Sequence, residues 1–375
     1  MKAKADYLAA LADRLEQRAN AGLRRSLALP AGIDVTSNDY LGYAQDPELA
    51  EQTAETVRLC GIGAGAARLL RGHLPLHDQA ERALAIFSNR QAALLFSSGW
   101  AANTGLWSTL TTATDVVLSH AANHASIIDG LRLSRAKRLI FNDFHELDRL
   151  LRAPRPARAF VAIESVHSMS GQLTDLLELS RIANQHGALL VVDEAHATGL
   201  YGPTGSGRVA ELGLQNQVLC TIHTGGKALG VAGAWVAGDA VLVETLVNFC
   251  RSFIYSTAVP PAVAGGLLHV LSRLPKDVER VRELHLKSKW LRDALSAEGL
   301  DLGGSQGCII PVILGSPERA MEVAARMRTH GFDVRAVRPP TVPEGTSRLR
   351  LVVRAPLAWS QIHQLAALVS NESRG

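Results

Sequence analysis

The chain has 375 residues, 47% of them hydrophobic and 20% charged, a balance that suits one large core with a second, smaller unit and excludes a disordered protein. Its formal charge of +4 is spread without a basic block and aromatics are only 5%, which argues against a nucleic-acid surface and suits a small anionic ligand. Cys60, Cys220, Cys250 and Cys308 form no C-x-x-C pair, and no uncharged run reaches the ~18 residues of a membrane span, so a reduced, cytoplasmic protein is expected.

In chain order, "MKAKADYLAALADRLEQRANAGLRR" reads as a charged amphipathic helix and not a signal peptide, because acidic residues interrupt every apolar stretch. "DPELAEQTAETVRLC" also has helical periodicity. The glycine-rich "CGIGAGAARLLRG", Cys60 to Gly72, therefore does not follow a strand, as a dinucleotide fingerprint must. Its glycines predict a loop whose backbone approaches another surface closely. From about residue 85 to 245 the apolar runs "AALLF", "DVVLS", "RLIF", "AFVAIES", "ALLVVDE", "VLCTIH" and "GAWVAG" alternate with amphipathic or small-residue segments. That rhythm predicts an α/β fold with a mainly parallel central sheet and helices on both faces. Ligands of such sheets bind beyond the carboxyl ends of the strands. After "STAVPPAVAGG" the pattern changes to a long charged helix, a strand ("GCIIPVIL"), a helix, a strand pair around "FDVRAV" and "SRLRLVV", and a last helix. The expected division is an N-terminal helix and segment (1–45), a large domain (46–258) and a small C-terminal α/β domain (259–375).

The strand "ALLVVDEAH" ends abruptly in Asp193, Glu194 and His196, and three chemistries would use such an ending. A nucleotide-driven motor needs G-x-x-x-x-G-K-[ST], yet the only Gly-Lys, Gly226-Lys227, lacks the other positions and follows the acidic motif. A metal could draw on His120, His124, Asp193 and His196, but there is no H-E-x-x-H and no cysteine partner, so no metal is expected. Pyridoxal phosphate needs a lysine for a Schiff base, an acid at the ring nitrogen, a group over the ring face, and amides with hydroxyls for the phosphate. Lys227 in "IHTGGKALG", Thr224 before it, Asp193 at its strand end and His124 in "NHASIIDG" are candidates for those roles. "FSSGWAAN", Phe96 to Asn103, reads as a strand turning into a helix whose first amides would attract a phosphate. Glu194 is assigned a structural hydrogen bond.

Together "SNDYLGY", "LPLHDQAE", "FSSGWAAN", "NHASIIDG", "VVDEAHATGLYG", "IHTGGKALG", "YSTAVPP" and "RPPTVPEGTSRLRLVV" resemble, in order and over nearly the whole chain, the α-oxoamine synthases, which are fold-type I pyridoxal phosphate enzymes. The resemblance implies a fold-type I transferase with pyridoxal 5'-phosphate as cofactor and catalytic roles for Lys227, Asp193, His196 and His124. Lys227 would hold the cofactor covalently, Asp193 would pair with its ring nitrogen, His196 would bond its phenolic oxygen and His124 would stack on its ring. Ser168 would contact the cofactor. The Gly99 and Trp100 backbone and Thr224 would hold its phosphate, with Ser256 and Thr257 reaching across from a second subunit of an obligate homodimer. Arg338 would bind the amino-acid carboxylate, with Arg24 and Thr341 also on the substrate side. "RPPTVPEGTSRLRL" and the short N-terminus are most similar to the branch that joins L-alanine to a pimeloyl thioester, on coenzyme A or a carrier protein, in biotin synthesis. The same machinery in relatives takes glycine, serine or other acyl thioesters. A binding-only relative would not need to keep Lys227. Departures from the common pattern are "GIGAGAAR" without a late serine, "SVHSMSGQLTDL" after Glu164, and His120 where an aspartate is common.

Overall fold

The computed structural model describes residues 2–154 and 157–374. The first helix, Lys2–Asn20, buries none of its residues within the chain. A two-residue strand β1 (Ile33–Asp34) follows. The seven apolar runs read from the sequence form β2 (Ala92–Phe96), β3 (Val116–His120), β4 (Lys137–Phe141), β5 (Ala159–Glu164), β6 (Leu189–Asp193), β7 (Val218–Thr224) and β8 (Ala234–Gly238). They make one sheet in the order β2-β8-β7-β6-β5-β3-β4. All neighbours are parallel except β8, which runs antiparallel to both β2 and β7.

The mainly apolar character of β2, β3, β5, β6 and β8 follows from burial on both faces, since successive side chains point to opposite sides, whereas the edge strand β4 with Lys137 and Arg138 is largely exposed. On β2, Leu94 and Phe96 enter one core, whereas Leu95 enters another. On β6, Val191 faces the helix Gly99–Leu110 side and Val192 the opposite one. Each such fully buried side chain stabilises the fold by about 1.5–3 kcal/mol.

A three-stranded sheet, β11-β12-β9, forms from β9 (Ile309–Gly315), β11 (Ala336–Val337) and β12 (Ser347–Val352). The segment "FDVRAV" does not form one strand. It splits into β10 (Phe332–Asp333), which pairs parallel with β1, and β11, which pairs antiparallel with β12. The N-terminal segment is thereby stitched to the C-terminal part of the chain. One core runs without interruption from Leu95 and Trp235 of the large sheet to Ile310 and Leu351 of the small one. The helix Pro261–Arg273 after the double proline packs on the helices Pro47–Cys60 and Pro75–Phe87.

The glycine-rich loop departs from its expected close approach. Gly61 and Gly65 hold φ of 82° and 72°, values that glycine adopts readily, yet a side chain at either would meet nothing within 4 Å in this chain. Only Gly72 is crowded: a Cβ there would sit 2.0 Å from the Ala66 carbonyl oxygen. Among the described residues no helix is long and apolar enough to cross a membrane.

Candidate active site

Strand register brings the chemistry together. Glu164 at the end of β5 lies directly opposite Asp193 at the end of β6, and Asp193 opposite Ile222 on β7. Beyond these ends lies a cavity of about 190 Å³ lined by Gly99, Trp100, Asn103, His124, Ser126, Glu164, Ser168, Asp193, Ala195, His196, Ile222, His223, Thr224 and Lys227. Eight of the sequence-predicted residues meet here: Lys227, Asp193, His196, His124, Ser168, Gly99, Trp100 and Thr224.

Asp193 is buried, and its carboxylate is fixed on both oxygens: Oδ2 accepts from Asn103 Nδ2 at 2.8 Å and Oδ1 from the Ala195 amide at 2.9 Å. Two donors from different elements hold this carboxyl in one orientation. The Lys227 ammonium is pushed down to about 8, chiefly by burial and against the pull of Asp193 and Glu164, with the Arg350 charge adding to the fall. His196 is buried and held neutral, first by desolvation and then by the charges of Lys227 and Arg350. Its Nδ1 lies 2.7 Å from the Tyr40 hydroxyl. Burial raises the Tyr40 phenol, so the hydroxyl keeps its proton and can donate to Nδ1; with that donation made, the imidazole proton lies on Nε2.

The helix Gly99–Leu110 opens onto the cavity with Ser98 as its cap, the Ser98 hydroxyl accepting from the Ala101 amide at 3.2 Å. A Cβ at Gly99 would meet nothing within 4 Å, so the first amides face open space suited to an anion. His124 caps the next helix, Ala125–Leu133, with Nδ1 accepting from the Ser126 amide at 3.2 Å, and its ring meets the Trp100 edge. The Thr224 hydroxyl donates to the Gly233 carbonyl at 3.1 Å and accepts from the Gly226 amide at 3.3 Å. Glu194, on the strand end beside Asp193, is turned away from the cavity. It accepts from the Ser165 hydroxyl at 2.5 Å and from the Val209 and Arg208 amides at 2.6 and 3.1 Å. These bonds tether the turn that follows the strand to the helix Arg208–Glu211.

A lysine whose ammonium is lowered to about 8, a buried carboxyl held on both oxygens, a neutral imidazole and a free helix start are the set that pyridoxal phosphate requires, and the residues fit that group. Among the described residues Asn103 Oδ1 and Glu164 Oε1 have no partner, two further polar atoms at the cavity wall.

The substrate-side predictions fall elsewhere. Arg24, Arg338 and Thr341 line a second cavity of about 710 Å³, which adjoins the first through the consecutive residues Ser168 and Met169. There the Arg338 guanidinium donates to the Gly22 carbonyl, and Arg25 to the Thr341 hydroxyl at 3.0 Å. Ser256 and Thr257 are not among the residues lining the first cavity. His120 is drawn away from His124 and Asp193. Its ring lies 4.7 Å from that of His167, and its nitrogens are bonded to the Ala122 amide and the Asn142 carbonyl.

Sequence reasoning missed Asn103, Tyr40, Glu164 and Arg350. Arg350 is buried on β12, donates to the Ser168 carbonyl at 2.8 Å and to Asn38 Oδ1 at 3.0 Å, and its charge is felt at Lys227. Asn103 and Asn38 lie inside the quoted motifs, but which polar residue of a motif turns inward depends on contacts made from distant parts of the chain.

Residues 30–369 match the family model of class I and II aminotransferases. An 8-amino-7-oxononanoate synthase of Anaeromyxobacter dehalogenans is 41% identical over 97% of this chain and 95% of its own length. Among solved structures, a serine palmitoyltransferase from S. paucimobilis with a bound PLP-myriocin aldimine superposes with a TM-score of 0.90 at 28% identity, covering 97% of both chains. An 8-amino-7-oxononanoate synthase from Francisella tularensis gives 0.80 at 28% identity, over 92% of this chain and 98% of that one. With the cavity's residues and the doubly covered sheet, these likenesses establish that the chain belongs to the class I and II aminotransferase family, with the fold-type I architecture, on its 8-amino-7-oxononanoate synthase branch.

Proposed function

We propose that the protein is a pyridoxal-phosphate-dependent acyltransferase that condenses L-alanine with a pimeloyl thioester, releasing carbon dioxide and the free thiol and forming 8-amino-7-oxononanoate for biotin synthesis. The observation that carries this reading is the meeting of Lys227, Asp193, His196 and His124 around one cavity in a chain 41% identical to such a synthase. When bound, pyridoxal phosphate supplies an electron sink for the amino acid's α-carbon. Lys227 would hold it covalently, Asp193 would hold its ring nitrogen, His196 Nε2–H its phenolic oxygen and His124 its ring face. Ser168 would touch it, and the Gly99 and Trp100 amides with Thr224 would take its phosphate.

Lys227 then moves the α-proton. With its ammonium brought down to about 8, about a tenth of the amine is neutral at pH 7 and able to accept a proton. The carboxylate of alanine needs a guanidinium within reach of that amine. Arg350, beside Ser168, supports this role better than Arg338, because Arg350 perturbs Lys227 and His196 whereas Arg338 is engaged with Gly22 in the second cavity. The second cavity, with Arg24, Arg338, Thr341 and the apolar Met169 and Leu29, would take the acyl thioester. A homodimer would complete the site. Leu59, Ile62 and Leu70 around the glycine-rich loop are 77, 86 and 80% exposed in the single chain, and that loop bridges to Thr257 through Ala67. A second copy covering this face would carry Ser256 and Thr257 to the phosphate.

The test is thiol release by the pyridoxal-phosphate-loaded protein with pimeloyl-CoA, comparing L-alanine, glycine and L-serine. Release with L-alanine alone is expected. Release with serine or glycine instead would favour a second reading, another α-oxoamine synthase, which the high TM-score to serine palmitoyltransferase supports.

A further inference from the structure

We propose that Glu164 is a positioning residue of this site that carries the proton of the Glu164–Asp193 pair, leaving Asp193 as the cavity's carboxylate. The two acids lie opposite each other across the β5–β6 ladder, and both are buried. Two carboxylates so placed cannot both ionise without strong mutual repulsion, so one retains a proton. Hydrogen bonding decides which. Asp193 is held by donors from two separate elements, one on each oxygen, whereas Glu164 is met by Ser168 alone, through its amide on Oε2 at 2.8 Å and less strongly through its side chain. The ladder fixes this difference, because the turn after Asp193 presents the Ala195 amide and the helix Gly99–Leu110 presents Asn103. Among the described residues Glu164 Oε1 has no hydrogen-bond partner, so no donor there stabilises a negative charge.

The surrounding charges agree. Burial and the Asp193 charge push the Glu164 carboxyl up to about 7, against the Ser168 bond and the Lys227 charge. The other charged or titratable groups around the cavity are Lys227, Arg350, His196, His124 and His223, and burial holds all three histidines toward the neutral form. Glu164 also anchors Ser168, whose carbonyl receives Arg350, so the same carboxyl sets the wall between the two cavities. The location of the proton is independent of the substrate; its consequence for catalysis rests on the function proposed above.

Infrared difference spectra of the apo-protein across pH 5 to 9 locate the proton directly through the C=O stretch of a protonated carboxyl. In a Glu194→Gln background, which removes the other buried carboxyl raised to about 7, a buried carboxylic-acid band is expected that fades as pH rises through about 7, is absent once Glu164→Gln is added and survives Asp193→Asn with its midpoint moved lower. A band that persists with Glu164→Gln in that background and vanishes with Asp193→Asn would place the proton on Asp193 and overturn the proposal. So would the absence of any such band in the Glu194→Gln parent. For the positioning role, Glu164→Gln keeps an acceptor for the Ser168 amide and is expected to bind pyridoxal phosphate within about twofold of wild type, while Glu164→Ala loses about tenfold. Equal losses in both variants would mean that charge, not the anchored amide, is what the site needs. These readouts do not depend on turnover, so failure of the proposed reaction leaves them interpretable.

Discussion

At the scale of single residues, the site depends on side chains held away from their ordinary protonation. Because the Lys227 ammonium is lowered to about 8, its reactive neutral form increases as pH climbs through 8 and not through the usual lysine range. The rate of pyridoxal phosphate incorporation into apo-protein should follow that midpoint. Replacing Asp193 by Asn removes the charge that holds the proton on Lys227, so the midpoint should move lower still. Asp193→Ala should cost about 3 kcal/mol in the chemical step, roughly a hundredfold in kcat, with some cofactor still bound. Near-wild-type turnover would refute the role given to this carboxylate. The two candidate arginines separate in the same assay: Arg350→Ala should raise KM for the amino acid at least tenfold, and Arg338→Ala should act mainly on the acyl donor. The reverse pattern would return the amino-acid carboxylate to Arg338.

At the scale of elements, buried carboxylates fasten helices and turns to strand ends. Glu81 on the helix Pro75–Phe87 accepts from the Leu95 amide of β2 at 2.9 Å and pairs with Arg68 at 2.8 Å, both side chains largely buried. Glu81→Gln leaves an uncompensated buried guanidinium and should destabilise the fold by about 3–5 kcal/mol, measured by denaturant unfolding. Glu194 acts on the turn after β6, and burial pushes its carboxyl up to about 7. A carboxyl raised in the folded state contributes stability that is fully present below its unfolded value and is lost as pH rises through about 7. The melting temperature of wild type should therefore fall relative to that of Glu194→Gln between pH 4.5 and 7. Parallel profiles would mean that Glu194 is ionised throughout that range.

At the scale of the whole molecule, Leu59, Ile62 and Leu70 are left exposed in the single chain, and the proposed phosphate site is without Ser256 and Thr257. Both are resolved if two chains associate. Co-expressed Lys227→Ala and Ser256→Ala/Thr257→Ala chains should recover activity that neither homodimer has, because each mixed dimer retains one intact site. No recovery, with mixed dimers present by mass spectrometry, would confine each site to a single chain. Leu70→Glu should yield a monomer in sedimentation, with loss of cofactor affinity.

The sequence by itself determined the strands, their parallel arrangement and the residues at the end of β6. These features follow from local hydrophobic periodicity and from motifs that are contiguous along the chain. The split of "FDVRAV" and the pairing of β1 with β10 were not legible, because a two-residue strand has no periodicity of its own and exists only where a distant partner meets its amides. The same holds for the site. Lys227, Asp193, His196 and His124 lie within readable motifs, whereas Arg350, Tyr40 and Glu164 act through cross-strand register and contacts from distant segments. Sequence thus determined which residues the motifs carry, and only tertiary structure set which carboxyls and which guanidinium act on the Lys227 ammonium, because charge states in a buried cavity depend on neighbours in space.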